Sequence, residues 1–156
     1  MMLVIKVAGA IIVIGIAGLM AWIRLAPVDV RDWHAALPMF ASELDGPCLI
    51  GPTYKFTGTF ACSLPDTTAQ DVLARLDGIA LNTPRTRLIA GSPGEGRMTW
   101  ETRSWLWGFP DYTTAQVENR GATTALVIHA RQRFGREDAG VNRARVASWL
   151  AQLSAS

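Results

Sequence analysis

The chain has 156 residues, enough for one domain with its own hydrophobic core and too few for two. Hydrophobic residues make up 49% of it, and their excess lies at the N-terminus. Residues 1–31 hold three of the fifteen cations and one of the thirteen acids, which leaves twelve of each and a neutral remainder. A neutral domain argues against nonspecific nucleic-acid binding, which requires a large excess of positive charge.

The N-terminus contains an uncharged apolar run, Val7–Ile23, between Lys6 and Arg24. As a helix it would span about 26 Å, which is at the short end of what a bilayer core requires. A cleaved signal peptide is the rival interpretation, but the run is long for one and the best cleavage site, at residues 19–21, lacks a small first residue. The run therefore predicts an uncleaved transmembrane anchor over residues 1–25. The positive-inside rule leaves its orientation open, because cations flank it on both sides.

Residues 26–45 are predicted to form a connector, stiffened by Pro27 and Pro38, that leads from the membrane into a domain over residues 46–156. Within that domain, a loop and a short strand around Thr57–Ala61 come first. The segment LPDTTAQDVLARLDGIALN then predicts a helix, capped by Asp66 or Thr67. Its apolar face comprises Val72, Leu73, Leu76, Ile79 and Ala80.

From Thr86 onward the pattern predicts strands, in the segments TRLIAGS, RMTWETRSWLW, YTTAQVE and TTALVIHARQR. The turns between them are short, which favours an antiparallel meander. A last helix follows, with Val146, Trp149, Leu150 and Leu153 on one face. The expected fold class is α+β: an N-terminal transmembrane helix followed by a mostly antiparallel sheet of four or five strands packed with two helices.

The stretch His129–Arg145 joins the last strand to the last helix and is rich in arginine. Asp138 is expected to cap the helix, whose first N–H groups make a potential anion site. One hypothesis is an anion site surrounded by arginines of this stretch. These are Arg131, Arg133, Arg143 and Arg145. The alternative is an ion-pair network in which Arg103 and the same arginines hold Asp111 and Asp138.

Other candidates for chemistry are weak. His34, His129 and the two cysteines lack close ligand spacing, so neither a metal site nor a cofactor is predicted. Ser104 has no partner histidine within its motif, and the glycines of residues 91–96 are better explained by a hairpin loop than by a phosphate cradle.

The aromatic cluster Trp100, Trp105, Trp107 and Phe109 is interpreted as core or as a bulge, with an exposed groove or membrane-facing surface as the alternative.

Cys48 and Cys62 enclose thirteen residues. In an oxidising compartment a disulfide between them is predicted, worth about 3 kcal/mol. Two buried thiols are the alternative, because cysteine also serves as a small apolar residue.

Two motifs resemble the uncharacterised family known as domain of unknown function 1499. The first comprises Arg133, Gly135, Asp138, Gly140, Asn142, Arg143 and Arg145. The second comprises Arg103, Ser104, Gly108, Phe109 and Asp111. The region of Cys48 is also similar, and the resemblance covers roughly residues 33–153. The chain departs from the family pattern at Tyr112, where the family has an aspartate, and at His129, Ala130, Gln132 and Glu137.

That family has no established activity, so the resemblance indicates a fold rather than a chemistry. Proteins similar to it often have an N-terminal anchor and face the periplasm or a thylakoid lumen, which implies export here. The leading hypothesis is a non-catalytic, partner-binding domain on the periplasmic side of a bacterial inner membrane, as an accessory subunit of a larger membrane complex. The alternatives are a binding module for a small anion or lipid headgroup, using the arginine junction, and an enzyme of unknown type. The expected partners are the membrane and other membrane-protein subunits, without nucleic acid.

Overall fold

The computed structural model describes residues 1–38, 49–50, 57–135 and 138–155. This part of the chain contains the helices α1 (Met2–Leu25), α2 (Val30–Trp33), α3 (Ala69–Leu81) and α4 (Val141–Ala155). Its strands are β1 (Leu49–Ile50), β2 (Thr57–Pro65), β3 (Thr86–Ser92), β4 (Arg97–Arg103), β5 (Pro110–Arg120) and β6 (Thr123–Gln132). The predicted N-terminal apolar helix is confirmed. At 24 residues, with a mean hydropathy of 2.5 over its most apolar 18-residue window, α1 is long and apolar enough to cross a membrane.

The strands form one antiparallel sheet in the order β1-β2-β6-β5-β4-β3. The meander from β3 to β6 and the α+β class are confirmed. The predicted short strand is longer than expected, because β2 continues to Pro65 and pairs with β6 along its whole length, Thr57 opposite Arg131 and Pro65 opposite Thr123. With the two residues of β1 at the outer edge, the described sheet has six strands rather than four or five.

Helices α3 and α4 cover one face of the sheet and enclose the main core. Trp100 of β4 and Trp149 of α4 meet edge to face, with their ring centroids 5.7 Å apart. The predicted apolar faces of both helices lie inward. Their fully buried members are Val72, Leu73, Leu76, Ala80, Val146, Trp149 and Leu153. Helical periodicity therefore identified the core side of each helix correctly.

The N-cap of α3 is one residue later than expected. Thr68 accepts a hydrogen bond from the Asp71 N–H at 3.1 Å and donates to the Asp71 carboxylate at 2.7 Å. Asp66 does not cap the helix because it lies in the preceding turn, with a left-handed φ of +52°. The carbonyl of Thr67 accepts the Thr124 hydroxyl at 2.6 Å and ties that turn to β6.

The opposite face of the sheet is covered by residues 26–38, here called the strap. The sequence predicted a connector for this segment, but the described part of it packs on the sheet. Trp33 stacks on Tyr112 of β5, with ring centroids 4.0 Å apart. Leu37 packs against Ala125 and Val127 of β6. Residues 39–45 of the predicted connector lie outside the described residues.

Polar side chains of the sheet hold the strap by its main chain. The Thr114 hydroxyl donates to the carbonyl of Trp33 at 2.8 Å. The Gln116 side chain accepts from the Leu37 N–H at 2.9 Å and donates to its carbonyl at 3.3 Å. Arg131 donates to the carbonyls of Asp32 and Trp33, and its guanidinium carbon lies 5.0 Å from the Trp33 ring centroid. The main-chain groups of the strap, which is irregular and makes few backbone–backbone hydrogen bonds, are therefore paired with side chains of the sheet.

We predict that Arg131→Met weakens the attachment of the strap. The substitution keeps an apolar stem but leaves two main-chain carbonyls without a charged donor, which should cost about 1–3 kcal/mol. Urea unfolding of the full chain in mild detergent measures the loss, and limited proteolysis should cut the strap faster. The matched control is Arg143→Met on α4, where Arg143 is exposed and the expected change is within about 0.5 kcal/mol. Equal losses in the two variants would contradict the role assigned to Arg131.

Candidate functional site

The junction arginines are divided between the two faces of the sheet. Because side chains alternate along a strand, Arg131 lies on the strap face while its neighbour Gln132 lies on the helix face. Arg133 follows Arg131 and donates to the carbonyls of Ala26 at 3.4 Å and Pro27 at 2.8 Å. In the described contacts neither arginine pairs with a carboxylate. The expected gathering of four arginines around the start of α4 is therefore not what the structure shows.

The start of α4 holds a smaller cluster. The Asp138 carboxylate accepts the N–H groups of Gly140 and Asn142, each at 2.9 Å. Arg145 reaches from the helix to Asp111 of β5, with Nη1 3.6 Å from Oδ2, and donates to the side-chain oxygen of Asn142. Of the predicted site residues, the structure therefore brings together Asp111, Asp138, Asn142 and Arg145.

The pKa values of the two acids in this cluster shift in opposite directions. Burial raises the pKa of Asp111, and the attraction of Arg145 only partly opposes that rise. Burial also acts to raise the pKa of Asp138, but the hydrogen bonds from Asn142 and Gly140 outweigh it and hold the pKa below its ordinary value. The arrangement fixes the N-terminal part of α4 to the beginning of β5, which is a structural task.

Arg103 belongs to a different cluster, centred on Glu101 of β4. The Glu101 side chain is 1% exposed and accepts from Arg87 Nε at 2.6 Å and Arg103 Nη2 at 2.8 Å. The Tyr112 hydroxyl, under the strap, lies 3.4 Å from the same carboxylate. Burial acts to raise the pKa of Glu101, but the two arginines together lower the pKa by more than burial raises it, so the net shift is downward. Glu101 is therefore a carboxylate at neutral pH.

Glu101 is not among the site residues predicted from the sequence, although the sequence contains a signal for it. Residues 101 and 103 are two apart in a strand and so share one face of the sheet. The antiparallel register places Arg87 of β3 directly opposite Glu101. An acid and an arginine two positions apart on one face of a strand indicate a buried ion pair once the neighbouring strand supplies a second cation.

The second family motif builds the loop between β4 and β5, residues 104–109. The Ser104 N–H donates to the Phe109 carbonyl at 2.9 Å, and its hydroxyl accepts the Phe109 N–H at 2.9 Å. Gly108 has a φ of +73°, and a Cβ there would meet Nε of Arg24 at 2.7 Å. Glycine at this position therefore permits both the turn and the close approach of the end of α1.

This loop, the end of α1 and the edge formed by β3 and β4 surround an open cleft of about 530 Å³. Four guanidinium groups and one carboxylate line it. The residues are Arg24, Arg85, Arg87, Arg103 and Glu101. Arg85 has a left-handed φ of +62°, which is uncommon outside glycine and costs roughly 1–3 kcal/mol. The cleft carries an excess of three positive charges, and it shares only Arg103 with the site expected from the sequence.

Exposed apolar side chains stand at the rim of the cleft. Trp105 is 76% exposed and Leu106 is 54% exposed. The interpretation of the tryptophans as core is correct for Trp100, which is fully buried, and wrong for Trp105. The reason is that β4 ends at Arg103, so the loop carries Trp105 out of the sheet.

The histidines occupy separate places. His34 in the strap lies 2.9 Å from the Thr99 hydroxyl and 3.0 Å from the Glu95 carboxylate. His129 lies on β6, where burial and then the charge of Arg131 lower its pKa to about 4. Among the described residues no three His, Cys, Asp or Glu side chains are placed to hold a metal. Cys62 is buried in the main core.

Fold and contacts together define the class of protein. It is an α+β domain whose antiparallel sheet carries two helices on one face and, on the other, a strap that leads from an apolar N-terminal helix. Residues 45–153 match the family described as protein of unknown function (DUF1499), which is more than half of the chain. The chain belongs to that family, and the resemblance noted in its motifs is confirmed.

The chain is also similar to a solved structure, ginseng major latex-like protein 151 from Panax ginseng, in two crystal forms. One match has 12% sequence identity and a TM-score of 0.36, and the other 13% and 0.34. Each covers 64% of this chain and 94% of the ginseng chain. No curated protein matches the chain.

We predict that Glu101→Ala destabilises the domain by about 3 kcal/mol, at the lower end of the effect of breaking a buried ion pair, because one partner, Arg87, is 64% exposed. Thermal or urea unfolding measures it. The matched control is Glu118→Ala, which removes a carboxylate that is 54% exposed and paired with Arg120 at 3.3 Å. That change should cost less than about 1 kcal/mol. If both substitutions had the same small effect, Glu101 would not stabilise its cluster as proposed.

Proposed function

We propose that the protein is a single-pass membrane protein whose domain lies against the bilayer and acts there as a non-catalytic binding module. The observation that carries the proposal is the attachment of the domain to the end of α1. A flexible linker would let the domain move freely away from its anchor. Here the strap is packed on the sheet from the point where the helix ends.

Contacts between the end of α1 and the domain support this proposal. Ile23 is 2% exposed, although almost all of α1 before it is exposed. The Trp22 ring lies 5.8 Å from that of Phe134, which follows β6. Arg24 Nη2 donates to the carbonyl of Leu106 in the loop between β4 and β5 at 3.2 Å. The last turn of α1 therefore contacts the domain directly.

The position of the exposed apolar residues follows from this attachment. Trp22 and Leu25 at the end of α1 are 61% and 81% exposed, and Trp105 and Leu106 belong to the loop that Arg24 contacts. Tryptophan favours the interface between the acyl chains and the headgroups. If α1 spans a bilayer, its last turn lies at that interface and brings the loop there too. The occupant that these side chains favour is therefore lipid.

The finer assignment is also part of the proposal. We place the domain on the periplasmic side of a bacterial inner membrane, with a disulfide between Cys48 and Cys62, as an accessory subunit of a larger membrane complex. The support is the apolar helix and the cysteine spacing. Cys48 lies outside those residues, so the disulfide stays a prediction.

Bilayer contact predicts that lipids brominated near the headgroup quench Trp105. In proteoliposomes of the full chain, Trp105→Phe should remove a substantial part of the quenched tryptophan fluorescence. The matched control is Trp107→Phe in the same loop, where Trp107 is half-buried and stacks on Phe109 with ring centroids 6.3 Å apart. If neither substitution changes the quenched fraction, the loop does not contact lipid and the proposed docking is wrong.

The periplasmic assignment predicts that alkaline phosphatase fused to the C-terminus is active and that a fluorescent reporter that works only in the cytoplasm stays dark at the same position. An inactive phosphatase with a bright reporter would place the domain in the cytoplasm.

The periplasmic assignment also predicts that Cys48 and Cys62 resist thiol labelling when the protein is denatured without reductant, because periplasmic thiols are oxidised. Two labelled thiols per chain would argue against the disulfide.

A further inference from the structure

We propose that the cleft between the end of α1 and the edge of β3 and β4 binds the phosphodiester of an anionic phospholipid. The inference rests on the proposed docking of the domain against the bilayer and identifies what it binds there. The site is distinct from the arginine-rich junction between β6 and α4, because all four of its arginines lie elsewhere in the sequence. They are Arg24, Arg85, Arg87 and Arg103.

The charge of the cleft is the first argument. Four arginines and one carboxylate line it, which leaves an excess of three positive charges. Glu101 offsets part of the charge of Arg87 and Arg103. The other two arginines donate to main-chain carbonyls, Arg24 to Leu106 at 3.2 Å and Arg85 to Arg103 at 3.0 Å. A carbonyl orients a guanidinium but does not neutralise it, so these charges remain available to an anion.

The remaining donors are the second argument. A guanidinium carries five N–H donors, arranged to bind phosphate oxygens in pairs. In the described contacts, Arg85 and Arg87 donate hydrogen bonds only through Nε, which leaves their terminal amino groups to a ligand. The Arg87 side chain is 64% exposed and reaches solvent from its buried partner Glu101. The arrangement offers oriented, solvent-facing donors rather than a closed ion-pair network.

The backbone at Arg85 holds one wall of the cleft. Its carbonyl accepts the Arg103 N–H at 3.1 Å while its Nε donates to the Arg103 carbonyl at 3.0 Å. This reciprocal pair fixes the side chain beside the end of β4 and accompanies the left-handed φ of +62°. Strained backbone of this kind is concentrated at binding sites, where the surrounding structure compensates its cost.

Location decides between possible anions. Arg24 is in the last turn of α1, so a membrane-spanning α1 places the cleft at the level of the lipid phosphates. Trp105, which also lines the cleft, is 76% exposed and available to the acyl-chain boundary. A volume of about 530 Å³ is within the range of small-molecule sites. A positive excess favours a lipid with net negative charge, such as phosphatidylglycerol, over a zwitterionic lipid.

The test is a titration of the full chain in mild detergent with short-chain phosphatidylglycerol, short-chain phosphatidylcholine and inorganic phosphate, followed by calorimetry. We expect phosphatidylglycerol to bind at least tenfold more tightly than either competitor. The Arg85→Asn/Arg87→Gln double variant should lose at least tenfold in that affinity. Asparagine is chosen at position 85 because it tolerates the left-handed φ. The matched control Arg143→Gln removes an arginine charge from exposed α4 and should change the affinity less than twofold.

A second variant guards against misfolding. If the double variant unfolds at a clearly lower temperature, Arg85→Asn alone is used, because Arg85 does not pair with the buried Glu101 in the described contacts. The proposal is overturned if the wild-type protein has no preference for phosphatidylglycerol. It is also overturned if the Arg85→Asn variant keeps that preference. Inorganic phosphate binding as tightly as phosphatidylglycerol, with the same dependence on Arg85, overturns the lipid assignment in favour of a soluble anion.

The outcomes separate the cleft from the docking. Quenching of Trp105 by brominated lipid without any preference for phosphatidylglycerol leaves the docking in place and overturns the cleft as a lipid site. A preference that depends on Arg85, without quenching of Trp105, supports the headgroup site and overturns the proposed contact of the loop with the bilayer.

Discussion

The structure depends on how the strap is held. The face of the sheet opposite α3 and α4 carries arginine, threonine and glutamine side chains that require hydrogen-bond partners, and an irregular chain segment has main-chain carbonyls that require donors. The side chains of the sheet and the main chain of the strap therefore serve as hydrogen-bond partners for each other. Arg131 donates to the carbonyls of Asp32 and Trp33, and Arg133 to those of Ala26 and Pro27. Because the strap continues directly from α1, the same contacts fix the domain to its N-terminal helix.

Glu101 connects the strap to the cationic cleft. Its carboxylate lies 3.4 Å from the Tyr112 hydroxyl, and the Tyr112 ring stacks on Trp33 of the strap. On the other side it holds Arg87 and Arg103. A buried carboxylate with two guanidinium partners fixes where those cations lie, while one negative charge cannot neutralise four positive ones. Tyr112 thus contacts both the strap and the acid that holds two arginines of the cleft.

Local pattern predicted the helices and the meander because both depend on neighbours in sequence. The spacing of Val146, Trp149 and Leu153 identified the core side of α4, and short turns predicted the antiparallel order from β3 to β6. The pairing of β2 with β6 joins residues 58 to 74 positions apart, and nothing in the composition of β2 specifies its partner. The strap was missed for a related reason, since its contacts are made mainly by its main chain and leave little periodic pattern.

The arginine junction shows how proximity in sequence differs from proximity in space. Arg131 and Arg145 are fourteen positions apart, yet strand alternation sends the first to the strap and helix α4 sends the second to Asp111. In the cleft, Arg24 and Arg103 are far apart in sequence but line one cavity, because α1 ends beside the loop between β4 and β5.

Net charge is a poor guide to this molecule for the same reason. The twelve cations and twelve acids that follow residue 31 cancel in sum, but a ligand responds to the charges within about 8–10 Å, the screening length at physiological salt. Within the cleft the balance is four arginines against one acid. A domain that is neutral as a whole can therefore present a cationic surface at the end of α1.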